Sequence, residues 1–284
     1  MDSSKLMDEI LMVTKDDGVH PLIDRVQGRR VLCNADGRQF SRLDQMDRSA
    51  LEFEIPDWEG NALRQFFSSW RFYKLIPPLM KSLNATAAAS FLNEHGDNLS
   101  AWLLTIQTRH PESFKQITDV MQDVFPQVES IFTFPTQQST VLVASKERYF
   151  RNFISGSFMS DGELAFLALV SLIFGPQELS APVYCVEEPE NHLHSKLIES
   201  LVELLKQSQA SFKPEERSQV FITTHSLQFL DRCDLDDIVV MERREGATIC
   251  TRPSSKPHLR ELVERKEIGL GELFYSGALG SATQ

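Results

Sequence analysis

Two adjacent carboxylates, Glu187 and Glu188, directly follow a short apolar run and have the clearest chemical meaning in this chain. Residues 183–186 are continuous and apolar, which is typical of a parallel strand buried on both faces. Ligands of parallel sheets bind at the carboxyl ends of the strands, where two acids are costly to desolvate unless a cation or a proton offsets them. The pattern predicts one acid on a hydrated Mg²⁺ and one that polarises a water beside a phosphate. A solvated strand end is the alternative interpretation.

A second polar group precedes an apolar helix. Ser160, Asp161, Gly162 and Glu163 lead into residues 164–174, which form an apolar run that is too short to span a bilayer. Ser160 and Asp161 are favoured N-cap types, and Gly162 would let a ligand approach the backbone. Helix N-termini bind anions, so the segment predicts either an anion site or an ordinary capped core helix.

A third polar segment follows the next apolar run, residues 220–222, and reads Thr223, Thr224, His225, Ser226. A histidine at a strand end can hydrogen-bond a phosphate or position a water; a turn residue before a short helix is the alternative. An amphipathic helical pattern separates this run from the two carboxylates. The order predicts a βαβ crossover, which would make the two strands parallel and bring both polar ends to one edge.

Together these segments resemble the C-terminal half of an ABC-type ATPase head, as in the SMC, RecF and OLD-like families. Residues 159–163 resemble the signature motif, residues 183–188 the Walker B strand, residues 190–194 the D-loop, and His225 the switch histidine. The sequence motif Glu-Glu-Pro-Glu-Asn-x-Leu-His is most similar to that of bacterial stand-alone AAA-type ATPases, which are grouped with OLD nucleases and phage-defence ATPases. The similarity covers most of the chain from about residue 60 onward.

The resemblance implies ATP and Mg²⁺ as ligands and assigns each candidate residue a role. Glu187 would hold Mg²⁺, Glu188 would polarise the attacking water as a catalytic residue, and His225 would contact the γ-phosphate as the second catalytic residue. The remaining candidates would bind nucleotide: Ser160, Asp161, Gly162, Glu163 and Asn191. Two departures stand out, because ABC proteins usually have Asp at the position of Glu187 and many relatives have Gly at the position of Asp161.

No Gly-x-x-x-x-Gly-Lys-Ser/Thr pattern occurs among the 13 glycines of the 284 residues. In the families that this chain resembles, such a loop lies near the N-terminus of the head, where its amides and lysine hold the β- and γ-phosphates. We therefore expect an N-terminally incomplete head, whether through a truncated gene, a mis-set start or a split ATPase.

Two functions stay open at this point. The first is an ATP-hydrolysing head that works as a dimer in DNA maintenance, DNA repair or phage defence. The second is a non-catalytic interaction subunit, or split half, that supplies signature and Walker B elements to a partner. The expected partner is a second ATPase head, as a homodimer or a partner chain, with DNA or a nuclease or effector subunit as further candidates.

Composition narrows the class of protein. A formal net charge of −11 argues against broad binding to nucleic acid or anionic membranes. The cysteines Cys33, Cys185, Cys233 and Cys250 have no paired spacing, which favours free thiols in a reducing compartment. With no apolar N-terminal run and no membrane span in the sequence, we expect a cytoplasmic protein without a membrane partner.

The predicted fold is α/β, a P-loop NTPase with a parallel sheet core flanked by helices, an inserted helical region and peripheral antiparallel hairpins. We expect three parts: residues 1–58, a remnant of the N-terminal lobe; residues 59–150, a helical lever region with a β hairpin; and residues 151–284, the core lobe. Further element predictions are a partial helix in residues 1–17, a hairpin in 29–40, a helix over 61–73 with a buried aromatic stripe, a helix capped by Asn98, a helix from Pro111, antiparallel strands at 128–134 and 140–144, a hairpin in 238–250, and a helix over 259–266.

Overall fold

The computed structural model describes residues 8–26, 29–40, 48–211, 213, 217–265 and 268–280. The chain divides into two compact units, Met1–Trp70 and Arg71–Gln284. The three-part division expected from the sequence stays a prediction.

The first unit is built on an antiparallel sheet whose strands follow one another in sequence order. Its elements are β1 (Glu9–Lys15), β2 (Gly18–Val26), β3 (Arg29–Cys33), β4 (Gln39–Phe40) and helix α1 (Asn61–Ser68). Ile23, Leu32 and Trp58 form its small core. The predicted hairpin is confirmed, since β3 pairs with β4. The partial helix expected in residues 1–17 is wrong for β1, and residues 1–7 lie outside the described residues.

The predicted helix over residues 61–73 is too long. Helix α1 ends at Ser68, and Arg71–Tyr73 forms strand β5. The aromatic stripe is also not core, because no residue of α1 is buried and Phe66 and Phe67 are 43% and 45% exposed. Pairing of β5 within a sheet overrides the helical periodicity, as tertiary context routinely does.

A three-stranded parallel sheet lies at the centre of the second unit, in the order β11–β10–β5. Strands β10 (Val183–Glu187) and β11 (Gln219–Thr223) are joined by helix α6 (Ser195–Ser211), which confirms the predicted βαβ crossover. Strand β5 pairs in parallel on the other side of β10. The carboxyl ends of all three strands therefore meet at one edge.

A second, antiparallel sheet belongs to the same unit, and it confirms the predicted antiparallel strands. Its strands are β6 (Asn84–Ala85), β7 (Val128–Pro135), β8 (Thr140–Glu147) and β9 (Ile154–Ser155). The neighbouring helices are α2 (Pro77–Met80), α3 (Leu99–Arg109) and α4 (Pro111–Val124). Asn98 does precede α3, but its side chain bonds to Asn93 N and Phe91 O instead of capping the helix.

Helix α5 (Asp161–Ile173) confirms the predicted core helix. Every residue from 164 to 171 is buried, and Phe166 packs edge-on against Phe125 with 5.7 Å between ring centroids. The predicted hairpin near the C-terminus is also present. The remaining elements are α7 (Leu227–Leu230), β12 (Val240–Arg244), β13 (Ala247–Thr251), α8 (Pro257–Glu264) and α9 (Leu270–Tyr275).

The second unit thus has the predicted α/β class, with a parallel sheet, flanking helices and antiparallel hairpins. Among the described residues, no helix is both long and apolar enough to cross a membrane. An apolar cavity of about 90 Å³ lies between α5, α6 and the parallel sheet, and its lining includes Leu169, Val186, Leu201 and Ile222. Its lining contains no charged side chain, whereas charged side chains do lie at the carboxyl edge of the parallel sheet.

Candidate active site

The register of the parallel strands places the candidate carboxylates at one sheet edge. Val186 lies beside Tyr73 of β5 and Ile222 of β11, and the next residue, Glu187, lies beside Thr223. Glu188 follows and donates its backbone N–H to Thr223 O at 3.0 Å. The polar residues after β10 and β11 are therefore brought together by the sheet itself.

Glu188 has a left-handed backbone conformation, with φ 42° and ψ 58°. This conformation is unfavourable for a residue that carries a Cβ and costs of order 1–3 kcal/mol. Such conformations persist only where the surroundings enforce them, and they cluster at functional sites. Here the hydrogen bond to β11 and the turn that begins at Pro189 enforce it.

Two side chains orient the Glu188 carboxylate. Asn191 Nδ2 donates a hydrogen bond to Glu188 Oε2 at 2.8 Å. His225 Nε2 lies 3.5 Å from Glu188 Oε1, and the His225 side chain is 82% exposed whereas that of Glu188 is 30% exposed. A carboxylate that is held in this way and still reaches solvent can act as a general base toward a water molecule.

Glu190 connects the loops that follow the two strands, although the sequence pattern indicates no separate role for it. Its Oε1 accepts hydrogen bonds from Thr224 Oγ1 at 2.6 Å and from His225 N at 3.0 Å. Its Oε2 is buried without a hydrogen-bond partner among the described residues. Glu190 therefore fixes the backbone that carries His225, a role for which the sequence offers no signal beyond a polar loop residue.

Glu187 is paired with a lysine for which the sequence pattern also indicates no role. Lys74, which directly follows β5, donates from Nζ to Glu187 Oε1 at 2.5 Å, and both side chains are about half exposed. The hydrogen bond with Glu187, together with the negative charge of Glu187 and Glu188, raises the pKa of the Lys74 ammonium. Lys74 therefore stays protonated at neutral pH.

The donor set at this edge suits a hard divalent cation in combination with a ligand. Among the residues that the structure describes, no three His, Cys, Asp or Glu side chains are grouped so that they could hold a metal alone. Mg²⁺ is typically bound by one or two carboxylates together with water and substrate phosphates. Glu187 offers such an oxygen ligand, so its assignment to Mg²⁺ fits the residues present and stays a prediction.

The four candidate residues at the start of α5 have structural partners. Ser160 Oγ accepts from Glu163 N at 3.2 Å, and Glu163 Oε2 accepts from Ser160 N at 2.9 Å, which is a complete capping box. Asp161 pairs with Lys81 at 2.7 Å, so its charge is offset. A Cβ on Gly162 would lie 2.9 Å from the carbonyl oxygen of His192, so the loop after β10 requires a glycine here. Nucleotide binding by these four residues stays a prediction.

A known protein family matches the central part of the chain. The AAA_21 model, described as "AAA domain, putative AbiEii toxin, Type IV TA system", matches residues 47–231. This range contains every candidate residue named above. No curated protein sequence matches the chain.

Solved structures with a similar arrangement include several SMC heads. The Smc head domain of Pyrococcus furiosus, with an extended coiled coil and bound to the C-terminal domain of ScpA, is 16% identical, with a TM-score of 0.43 over 57% of this chain and 40% of that chain. The SMC head domain of Thermotoga maritima is 12% identical, with a TM-score of 0.39 over 86% and 72%. An SmcHead bound to the C-winged helix domain of ScpA is 15% identical, with a TM-score of 0.48 over 85% and 72%. The chain thus spans less than half the length of the first of these structures.

Proposed function

The chain belongs to the AAA_21 family, whose model matches residues 47–231 of its 284, and from this premise we propose that it is the part of an ATP-hydrolysing head that activates water and carries the signature motif. Membership of this ATPase family implies nucleotide binding, usually with Mg²⁺. Hydrolysis by this particular chain is the step that we propose.

The arrangement around Glu188 is the observation that carries the proposal. A strained backbone directs this carboxylate to the sheet edge, and Asn191 and His225 lie at its two oxygens. Strain of this kind is typically maintained at functional sites. We infer that Glu188 accepts a proton from the attacking water, while Asn191 keeps the Glu188 carboxylate oriented toward that water.

The neighbouring residues take the roles that phosphoryl transfer requires. Glu187 would hold Mg²⁺, which would neutralise charge on the phosphate oxygens. His225, tethered through its backbone to Glu190, would donate a hydrogen bond to the γ-phosphate. Phosphoryl transfer is catalysed mainly by positioning and charge stabilisation. Side chains that are fixed at the carboxyl edge of the parallel sheet are therefore sufficient for the contribution of this chain to catalysis.

We infer that the start of α5 acts on the nucleotide of a second head. Ser160, Asp161, Gly162 and Glu163 lie at a helix N-terminus, where N–H groups and the helix dipole favour a bound anion. The Lys81 partner of Asp161 supports this role, because it reduces the repulsion that the carboxylate would exert on a triphosphate. The active form would then be a dimer of heads.

No Walker A pattern occurs in residues 1–284, so under this proposal the β- and γ-phosphates are held either by a loop of another sequence or by a loop that a partner supplies. The resemblance of the Glu-Glu-Pro-Glu-Asn segment to OLD-like ATPases supports a role in phage defence or DNA maintenance, with DNA or a nuclease or effector subunit as the partner. A non-catalytic interaction subunit is the second candidate, and the missing loop is the observation that favours it.

The first test is Mg²⁺-dependent ATP hydrolysis by the purified chain and its Glu188→Gln variant. We expect turnover that the variant loses, because an amide cannot accept the proton, while Glu203→Gln, an exposed substitution on α6, leaves it unchanged. Glu188→Gln should also accumulate an ATP-dependent dimer in light scattering, since the bound nucleotide is not consumed.

The two candidate functions give different outcomes in this test. Turnover in the wild type that Glu188→Gln abolishes contradicts the interaction-only function. A folded wild-type protein without turnover or nucleotide binding contradicts the catalytic function for the isolated chain. In that case the interaction subunit predicts stimulation of ATP hydrolysis when a head with its own phosphate loop is added.

A further inference from the structure

We propose that Lys74 is a positioning residue that occupies Glu187 while no divalent cation is bound, and that the cation displaces its ammonium toward the phosphates of the nucleotide. The inference rests on the proposed function, because it assumes a nucleotide and Mg²⁺ at this edge. It adds to that function a residue to which the sequence motifs assign no role.

Hydrogen bonds hold the backbone of Lys74 at its N–H group and at its carbonyl oxygen. Lys74 follows Tyr73, which is 3% exposed and pairs with Val186, so the sheet register itself carries Lys74 to the side of Glu187. Its N–H donates to Glu94 O at 3.0 Å, and its carbonyl oxygen lies 3.0 Å from Nδ1 of His95. The Lys74 side chain therefore extends from a backbone that is held in place.

The Lys74 ammonium lies on the face of the parallel sheet on which Phe72 and Phe221 are more than half exposed. Side chains alternate along a strand, so Lys74 shares a face with Phe72, and Glu187 shares it with Cys185, the register partner of Phe72. Phe72 and Phe221 on this face are 56% and 52% exposed. A ligand that approaches Glu187 from this open side therefore meets Lys74 as well.

The Lys74–Glu187 pair is suited to exchange. Its two side chains are 54% and 49% exposed, and pairs of this exposure are weak. A divalent cation brings twice the charge to the same carboxylate oxygen and can displace the ammonium. Lys74 keeps its charge after displacement and is then free to bind a phosphate, for which lysine is well suited.

A surface ion pair without a function is the competing explanation, and Lys115–Asp119 provides the matched control. That pair, on α4, has an Nζ–Oδ2 distance of 2.6 Å and similarly exposed side chains. Both lysines have a raised pKa for the same reason, a hydrogen-bonded carboxylate. Only the Lys74 pair lies at the sheet edge, so the two respond differently to Mg²⁺ if the inference is correct.

The direct test is nuclear magnetic resonance of the full chain after reductive ¹³C-methylation of its lysines. Lys74→Arg and Lys115→Arg identify the two resonances. On addition of Mg²⁺ alone, and again with Mg²⁺ and ATP, the Lys74 resonance should move toward its position in metal-free Glu187→Gln, while Lys115 stays in place. A Lys74 resonance that stays in place under both conditions overturns the inference.

The functional test uses the Mg²⁺ dependence of ATP binding or hydrolysis. Lys74→Met should lower the Mg²⁺ concentration for half-maximal effect about two- to fivefold, the factor expected for an exposed pair. The same variant should raise the KM for ATP, and Lys74→Arg should restore both values. Unchanged Mg²⁺ dependence and KM in Lys74→Met contradict the inference. Absence of ATPase activity in the wild type and in both Lys74 variants contradicts the proposed function. If the Lys74 resonance still moves with Mg²⁺ in that case, the exchange at Glu187 stays supported.

Discussion

At the scale of single residues, the backbone of Glu188 gives a test of strain that does not depend on activity. Its φ of 42° favours glycine over any residue with a Cβ. We expect Glu188→Gly to be more stable than Glu188→Ala by about 1 kcal/mol, because both variants lose the carboxylate and only glycine relieves the strain. Urea denaturation followed by circular dichroism measures the difference.

Glu203, in the regular helix α6, provides the control for this comparison. There glycine should be less stable than alanine by about 1 kcal/mol, so the sign is reversed. Equal stability of Glu188→Gly and Glu188→Ala would show that the left-handed conformation is not strained in solution.

Glu190 predicts a kinetic effect at the same scale. Glu190→Ala removes the acceptor shared by Thr224 Oγ1 and His225 N, so the segment that carries His225 loses its tether. We expect kcat for ATP hydrolysis to fall at least about tenfold with little change in KM, since small misplacements of positioned groups cost that much or more. Steady-state kinetics at saturating Mg²⁺ measures both constants.

Thr224→Val is the milder control for Glu190. It removes one donor to Glu190 and the acceptor of Ser226 N, and it leaves the His225 N–H bond to Glu190 intact. Its loss of kcat should be smaller than that of Glu190→Ala. If Thr224→Val is equally defective, the hydroxyl of Thr224 and not the position of His225 is responsible.

At the scale of elements, the capping box of α5 predicts a cost in stability. Ser160→Ala deprives Glu163 N of its acceptor and should lower the free energy of unfolding by about 1 kcal/mol, while Ser160→Thr keeps the cap. Ser200→Ala, in the middle of α6, should change stability by less than about 0.5 kcal/mol. Chemical denaturation of the three variants checks the ranking, and an unaffected Ser160→Ala would contradict a stabilising cap.

At the scale of the whole molecule, the second unit depends on the burial of α5. Phe166→Ala should cost about 3–5 kcal/mol, because the ring is fully buried and leaves a cavity against Phe125. Phe158, which is 85% exposed, should tolerate the same change within about 0.5 kcal/mol. A domain is stable by only about 5–15 kcal/mol, so thermal denaturation should separate the two variants clearly. Similar melting temperatures would contradict this view of the core.

The parallel crossover could be predicted from the sequence, and so could the edge at which Glu187, Glu188 and the Thr223–His225 segment meet. Continuous apolar runs, their polar ends and one intervening amphipathic helix are local patterns, and the handedness of crossovers leaves few ways to arrange them. The core helix α5 with its Ser160 cap followed from equally local signals.

The side chains that complete the site could not be predicted, because contacts between distant segments bring them there. Lys74 meets Glu187 across 113 positions of the chain, and Glu190 meets His225 across 35. Strand β5 was hidden by helical periodicity, because its conformation comes from pairing with β10. The left-handed conformation of Glu188 likewise depends on its hydrogen bond to β11. Contacts between distant segments leave no periodic pattern in a sequence, so packing and register alone could reveal them.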